Sequence, residues 1–169
     1  MKLFSKLVIV FLLVISGAHA NSQDYKFHSI FMYNFTKYIE WPDSYKNGDF
    51  VIGVLGDSPI VEHLKNMAQV KSVGSQKFTI KVFSNASDIS QCHILFIPEN
   101  NSGKLKDVRS KLKGASTLLI TEQDGLATKG SAINFIIKEG KWKFELNKAA
   151  AESANLKISS ELSRLAILV

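Results

Sequence analysis

The stretch from Phe31 to Pro42, F-M-Y-N-F-T-K-Y-I-E-W-P, constrains the fold more than any other part of the chain. Helical spacing from Tyr25 onward gathers Phe27, Ile30, Phe31, Phe35 and Tyr38 into one stripe, which predicts a helix packed along that side. Lys26, Ser29, Tyr33, Lys37 and Glu40 fall on the other, wet side. Asn34 lies within the aromatic stripe and needs hydrogen-bond partners if it is buried. Proline disfavours helical geometry in the residue before it, so Trp41-Pro42 is the expected stop.

Before this helix, Lys2 and Lys6 precede an unbroken apolar run from Leu7 to Ile15, and Ala18-His19-Ala20 supplies a small-x-small cleavage pattern. This is the organisation of an export signal. Residues 1–20 are therefore expected to be removed, leaving 21–169 as a single exported domain. The chain carries 21 basic and 15 acidic residues, and loss of the two signal lysines leaves a net charge of +4. No basic stretch is interleaved with stacking aromatics, so nucleic acid is a poor fit as partner. Cys92 is the one cysteine, which excludes an internal disulfide. A buried, inert thiol is the expectation, with an intermolecular bridge as the alternative.

Downstream, the continuous apolar run Phe50 to Gly56 suits a strand buried on both faces, as in a parallel sheet. Asp57 or Ser58 can cap the following helix, with Pro59 in its first turn. That helix start could hold an anion, but the glycines form neither G-x-G-x-x-G nor G-x-x-x-x-G-K-[ST]. Phe78, Ile80 and Val82 alternate with Lys77, Thr79 and Lys81, the pattern of a strand with one wet face near a sheet edge. Cys92 to Ile97 is a second buried strand. Ser102 opens a helix with Leu105, Val108 and Leu112 inward, while Lys104, Lys106, Arg109, Lys111 and Lys113 crowd the rest of its surface. Thr117 to Ile120 is a third buried strand. Ile133 to Lys138 and Lys141 to Asn147 flank Glu139-Gly140 as a tight hairpin. An alanine-rich helix from Lys148 and a last one from Ser159 or Ser160, with Leu162, Leu165 and Ala166 inward, close the chain. The order of elements gives an α/β fold: a mixed, mainly parallel sheet, helices on both faces, and an antiparallel hairpin near the C-terminal end.

Catalysis needs a constellation, and none forms. His28 lies on the first helix, His63 on the wet side of the second, and His93 in an apolar strand. Cys92 and His93 are strand neighbours pointing to opposite faces, so they cannot pair as nucleophile and base. Ser159-Ser160 with Glu161 and Arg164 reads as a helix cap with a surface ion pair. The residues assign no catalytic, cofactor or metal site, and the reading is a non-catalytic binding protein.

The motif Y-N-F-T-K-Y-I-E-W-P resembles the signature of the YfiR-like family of small periplasmic proteins. C-H-I-L-F-I at Cys92 to Ile97 is similar to a second family block. I-N-F at Ile133 to Phe135, K-F-E-L-N at Lys143 to Asn147 and L-K-I-S-S-E-L at Leu156 to Leu162 resemble its closing pattern. The resemblance implies a periplasmic protein that acts by contact, repressing an inner-membrane diguanylate cyclase until an envelope signal releases it. The alternative is a periplasmic small-molecule sensor acting on another membrane receptor, such as a histidine kinase. A small-molecule ligand and a homodimer are both open. Relatives can carry cysteine pairs that couple activity to redox state, and this chain has no partner for Cys92. The expected partner-binding residues are Tyr33, Lys37 and Trp41 on the first helix and its exit, with Lys143 and Glu145 on the late strand. Aromatic residues suit interface centres, and rim charges steer association. The competing reading makes Trp41 a core cap and Lys143 and Glu145 a solvated strand face.

Overall fold

A computed structural model describes residues 17–169, with side chains from Asp24 onward. The n-region and apolar core of the expected export signal lie outside the described residues. The first helix, α1 (Gly17–Phe35), is followed by a short strand β1 (Ile39–Glu40), then β2 (Phe50–Leu55), α2 (Ile60–Val70), β3 (Ser72–Val73), β4 (Gln76–Phe83) and β5 (Ile94–Ile97). The second half contains α3 (Leu105–Lys111), β6 (Leu118–Thr121), β7 (Ile133–Lys138), β8 (Lys141–Leu146), α4 (Lys148–Ser153), β9 (Lys157–Ile158), α5 (Ser160–Leu165) and β10 (Ile167–Leu168).

Among the described residues an eight-stranded sheet runs in the order β10-β8-β7-β6-β5-β2-β4-β3. Strands β4, β2, β5, β6 and β7 are parallel, and the β7–β8 hairpin and the β3–β4 pair are antiparallel. Glu139 and Gly140 both take positive φ, as a two-residue turn between twisted strands requires. The parallel order reverses direction at β2, whose neighbours β4 and β5 lead to opposite sides of the sheet. Phe50, Ile52, Val54, Phe96, Ile120, Phe135 and Phe144 point to one face and pack with α1, α2, α4 and α5. Leu55, Leu95, Ile97 and Leu119 point to the other and pack with Leu105 and Val108 of α3. Helices therefore cover both faces, as the sequence predicts.

Two expectations for α1 need correction. Its packed side carries His28, Ser29, Met32 and Phe35, whereas Phe27 and Ile30 are 42% and 46% exposed. Residues four and three apart (His28, Met32, Phe35) define the buried line, and aromatic content does not. Ser29 tolerates burial because its hydroxyl donates to the Lys26 carbonyl at 2.8 Å. Helix α1 also stops at Phe35, short of Trp41. Thr36, Lys37 and Tyr38 fold back in three-residue turns onto Tyr33, Asn34 and Phe35, and β1 then pairs antiparallel with β9. Glu40 and Trp41 thus leave the helix in extended form ahead of Pro42, the conformation a following proline favours. Leu165, expected to face inward, is exposed, and Leu162 alone of that trio is buried.

Phe35 is buried against Phe135 and Phe144. Replacing it by alanine leaves a cavity under α1 and should destabilise the fold by about 3–5 kcal/mol. Against a total of about 5–15 kcal/mol this lowers the melting temperature clearly. A melting curve superimposable on wild type would remove Phe35 from the core.

Candidate functional site

The exit of α1 is fixed by a knot of polar groups beneath the sheet. Trp41 is 6% exposed, stands edge-on to Phe50, and donates its indole N–H to the His93 carbonyl at 3.1 Å. His93 lies just before β5 and uses both ring nitrogens. Nδ1 accepts from the Val51 amide at 3.0 Å, and Nε2 donates to the Tyr45 carbonyl at 2.7 Å. That pattern sets the neutral ring with its proton on Nε2. Gln76 also donates to the Tyr45 carbonyl, and the Tyr45 hydroxyl accepts from the Ser116 amide. Tyr45 thereby ties together the starts of β4, β5 and β6. Burial holds the His93 pKa below its ordinary value, with the bond to Tyr45 opposing it. Neighbouring Cys92 is fully buried, and burial pushes its thiol up to about 12, so the inert-thiol expectation fits.

The middle of α1, at Asp24 and Tyr25, is anchored over the C-terminal ends of the strands. Trp142 donates to Asp24 at 2.8 Å, and the Tyr25 hydroxyl donates to Glu122 at 3.2 Å. Glu122 also accepts from the Glu99 amide. His28, 1% exposed, stacks on Phe135 at 4.1 Å with Trp142 edge-on to it. Its Nδ1 stands 3.3 Å from Glu122 Oε2 without an aligned hydrogen bond. Burial first, and then the Glu122 charge, push the Tyr25 phenol up to about 12, so it remains a donor. Beside this cluster a crevice of about 430 Å³ opens between Asp57-Ser58-Pro59 after β2 and Pro98-Glu99-Asn100 after β5. Crevices at such a reversal of strand order are where open α/β sheets take ligands. Nothing in the sequence pattern marked Glu122 or Tyr45 as hubs, because their partners lie far away in the chain.

Held at these two places, α1 and the turn that follows it present an outer line. Phe27, Ile30, Asn34 and Lys37 succeed one another at helical spacing. The two apolar side chains are half exposed, and Lys37 Nζ donates to Asn34 Oδ1 at 3.2 Å. Half-buried Tyr33 flanks this line. Its ring lies 4.6 Å from Lys37 Nζ and 5.3 Å from Lys71 Nζ, with its edge toward Phe78.

The five expected contact residues do not form one patch. Tyr33 and Lys37 stand on the face of the sheet that α1 covers. Trp41 is in the core, so the cap reading describes its position. Phe144 packs beneath α1, which turns its neighbours Lys143 and Glu145 to the opposite face. Glu145 is further committed internally: it accepts from Asn134, whose carbonyl oxygen accepts from Thr121. Phe27 and Ile30 were expected inside on their aromatic and aliphatic character, and they stand half exposed. The spacing of His28, Met32 and Phe35 would have revealed them.

The model of the YfiR/HmsC-like family matches residues 25–167. The chain belongs to that family. The match takes in α1 from the anchored Tyr25 onward, the polar knot at Trp41 and His93, and the hairpin. No curated protein matches the chain.

The neutral His93 ring gives a signed pH prediction. Its pKa is lower folded than unfolded, so its contribution is complete above about pH 6.5, the unfolded value, and is lost as pH falls below it. Wild type should melt at a lower temperature at pH 5.5 than at pH 7.5, and His93→Gln should flatten that slope even if it melts lower throughout. Equal slopes for the two proteins would contradict a depressed pKa at His93.

Proposed function

We propose that this protein is a periplasmic regulator that binds the periplasmic part of an inner-membrane diguanylate cyclase through the outer face of α1 and represses it. The family match over residues 25–167 carries the reading, since it supports, at family level, periplasmic regulation of diguanylate cyclases. The arrangement of α1 supports the choice of surface. A helix pinned at Asp24, Tyr25 and Trp41 loses little freedom on binding, which favours a preorganised contact. Phe27 and Ile30 offer an apolar centre, and Lys26, Lys37 and Lys71 offer a basic rim suited to an acidic partner surface. Tyr33 and Lys37 remain in the proposed contact, while Lys143 and Glu145 belong to a different face. Repression by contact needs no turnover, so cyclic-di-GMP synthesis, and with it biofilm formation, would change through occupancy of this surface.

A sensor reading, in which a bound small molecule changes the output of a cyclase or a histidine kinase, is supported by the crevice between β2 and β5. It is compatible with the same contact surface.

Ile30→Glu places a charge at the centre of the apolar line while leaving the core intact. Its melting temperature should stay near wild type, since surface substitutions stay within about 0.5 kcal/mol. Its affinity for the cyclase's periplasmic part should fall at least ~30-fold, the loss of ~2 kcal/mol expected at an interface centre. Cellular cyclic-di-GMP should rise. Lys143→Glu, on the opposite face, should leave repression intact. A stably folded Ile30→Glu protein that still represses would exclude this face, and loss of repression by Lys143→Glu alone would move the contact to the hairpin.

A further inference from the structure

At the end of the sheet away from the β2–β5 crevice, a groove of about 490 Å³ opens over the start of β6, between α3 and α4. One wall is a single stripe of α3 and its C-terminal turn: Lys106, Arg109, Ser110 and Lys113. The other wall is the small-residue stripe Ala150, Ser153 and Ala154 of α4 and its end, and the floor includes Leu112, Leu119 and Ala132. No lining residue is acidic, and among the described residues Lys106, Arg109 and Lys113 take part in no ion pair.

Cations in the last turn of a helix complement its dipole, which accounts for lysines there on general grounds. The same argument covers the presence of Arg109, which lies in that turn, but not where its side chain is placed. The Arg109 guanidinium donates from Nη1 to the Lys129 carbonyl at 2.9 Å and lies flat over Gly130. A Cβ at Gly130 would stand about 2.5 Å from the guanidinium carbon, and Gly130 has a φ of +103°. The backbone therefore makes room for this exposed side chain, which one hydrogen bond holds over Gly130, leaving Nε and Nη2 without a protein acceptor. The volume is within the usual range for small-ligand sites, and an apolar floor under converging cations selects charge and body together.

We propose that this groove binds a small organic anion, a carboxylate or phosphate monoester with a compact apolar body. Arg109 grips the anionic group, Lys106 and Lys113 neutralise it, and Leu112, Leu119 and Ala154 take the apolar part. A fork of fixed N–H donors matches either anion through paired bonds. The groove is lined by no residue of α1, so the proposal does not depend on α1 being the partner surface.

The test is a titration of the purified mature chain with phenyl phosphate, benzoate, benzyl alcohol and inorganic phosphate, followed by amide chemical shifts and calorimetry. Phenyl phosphate or benzoate should bind with a dissociation constant below ~1 mM, a modest demand for a ligand of ~10 heavy atoms. The amides of Arg109, Gly130 and Ser153 should shift. The tighter of the two identifies the anionic group, and either result supports the proposal. Benzyl alcohol and inorganic phosphate should bind at least tenfold more weakly. Arg109→Gln should weaken the preferred anion tenfold or more, and Ser153→Leu, which fills the groove from an exposed position, should do the same without removing a charge. Lys111→Gln, outside the groove, should have no effect. No saturation by either organic anion at 10 mM overturns the proposal. So does equal binding of benzyl alcohol or inorganic phosphate, or full affinity in a folded Ser153→Leu protein.

Discussion

The hydrogen bond from the Trp41 indole to the His93 carbonyl is the constraint on which the rest of the arrangement depends. It joins the segment leaving α1 to the residue that opens β5. His93 adds bonds to Val51 of β2 and to the Tyr45 carbonyl, so one histidine fixes the spacing of two central strands and the loop beneath them. These groups are buried or partly buried, and an unpaired member would cost about 1–3 kcal/mol in lost hydration. The neutral histidine also shows why a residue type so often catalytic is structural here: both ring nitrogens are already engaged.

From that knot the position of α1 follows. The helix crosses one face of the sheet from the strands' C-terminal ends, where Asp24 and Tyr25 are held by Trp142 and Glu122, to their N-terminal ends at Trp41. Ring packing of His28, Phe35, Phe135 and Phe144 fills the space beneath. Anchors at Asp24 and Tyr25 and, beyond the helix, at Trp41, together with a packed underside, leave little rotational freedom. The outward line of Phe27, Ile30 and Asn34 is thus held in one orientation on the sheet. At the groove beside α3, one hydrogen bond to the Lys129 carbonyl holds the exposed Arg109 side chain over Gly130.

Much of the architecture was legible in the sequence. Continuous apolar runs at Phe50 and Ile94 announced the buried parallel strands, and Glu139-Gly140 announced the hairpin. The short strands β1, β3, β9 and β10 were not legible. Two-residue strands exist through pairing with distant partners such as Ile39 with Ile158, and periodicity carries no record of that. The face of α1 was misread because several of its residues are apolar or aromatic on more than one side, so composition could not choose which line the sheet covers. The candidate contact residues were chosen on that reading of α1. Tyr33 and Lys37 were placed outward, but Phe27 and Ile30 were placed inward, and hairpin residues from the far side of the sheet were added to them.

The central claim is that α1, held by the Trp41–His93 knot, is the face that meets the membrane partner. Site-specific photo-crosslinking in living cells tests it most directly, with the photoreactive residue placed at Phe27, at Lys37 or at Lys143. The account predicts a covalent adduct with an inner-membrane diguanylate cyclase from Phe27 and Lys37, and none from Lys143. Adducts from Lys143 alone, or equal adducts from all three positions, would contradict it.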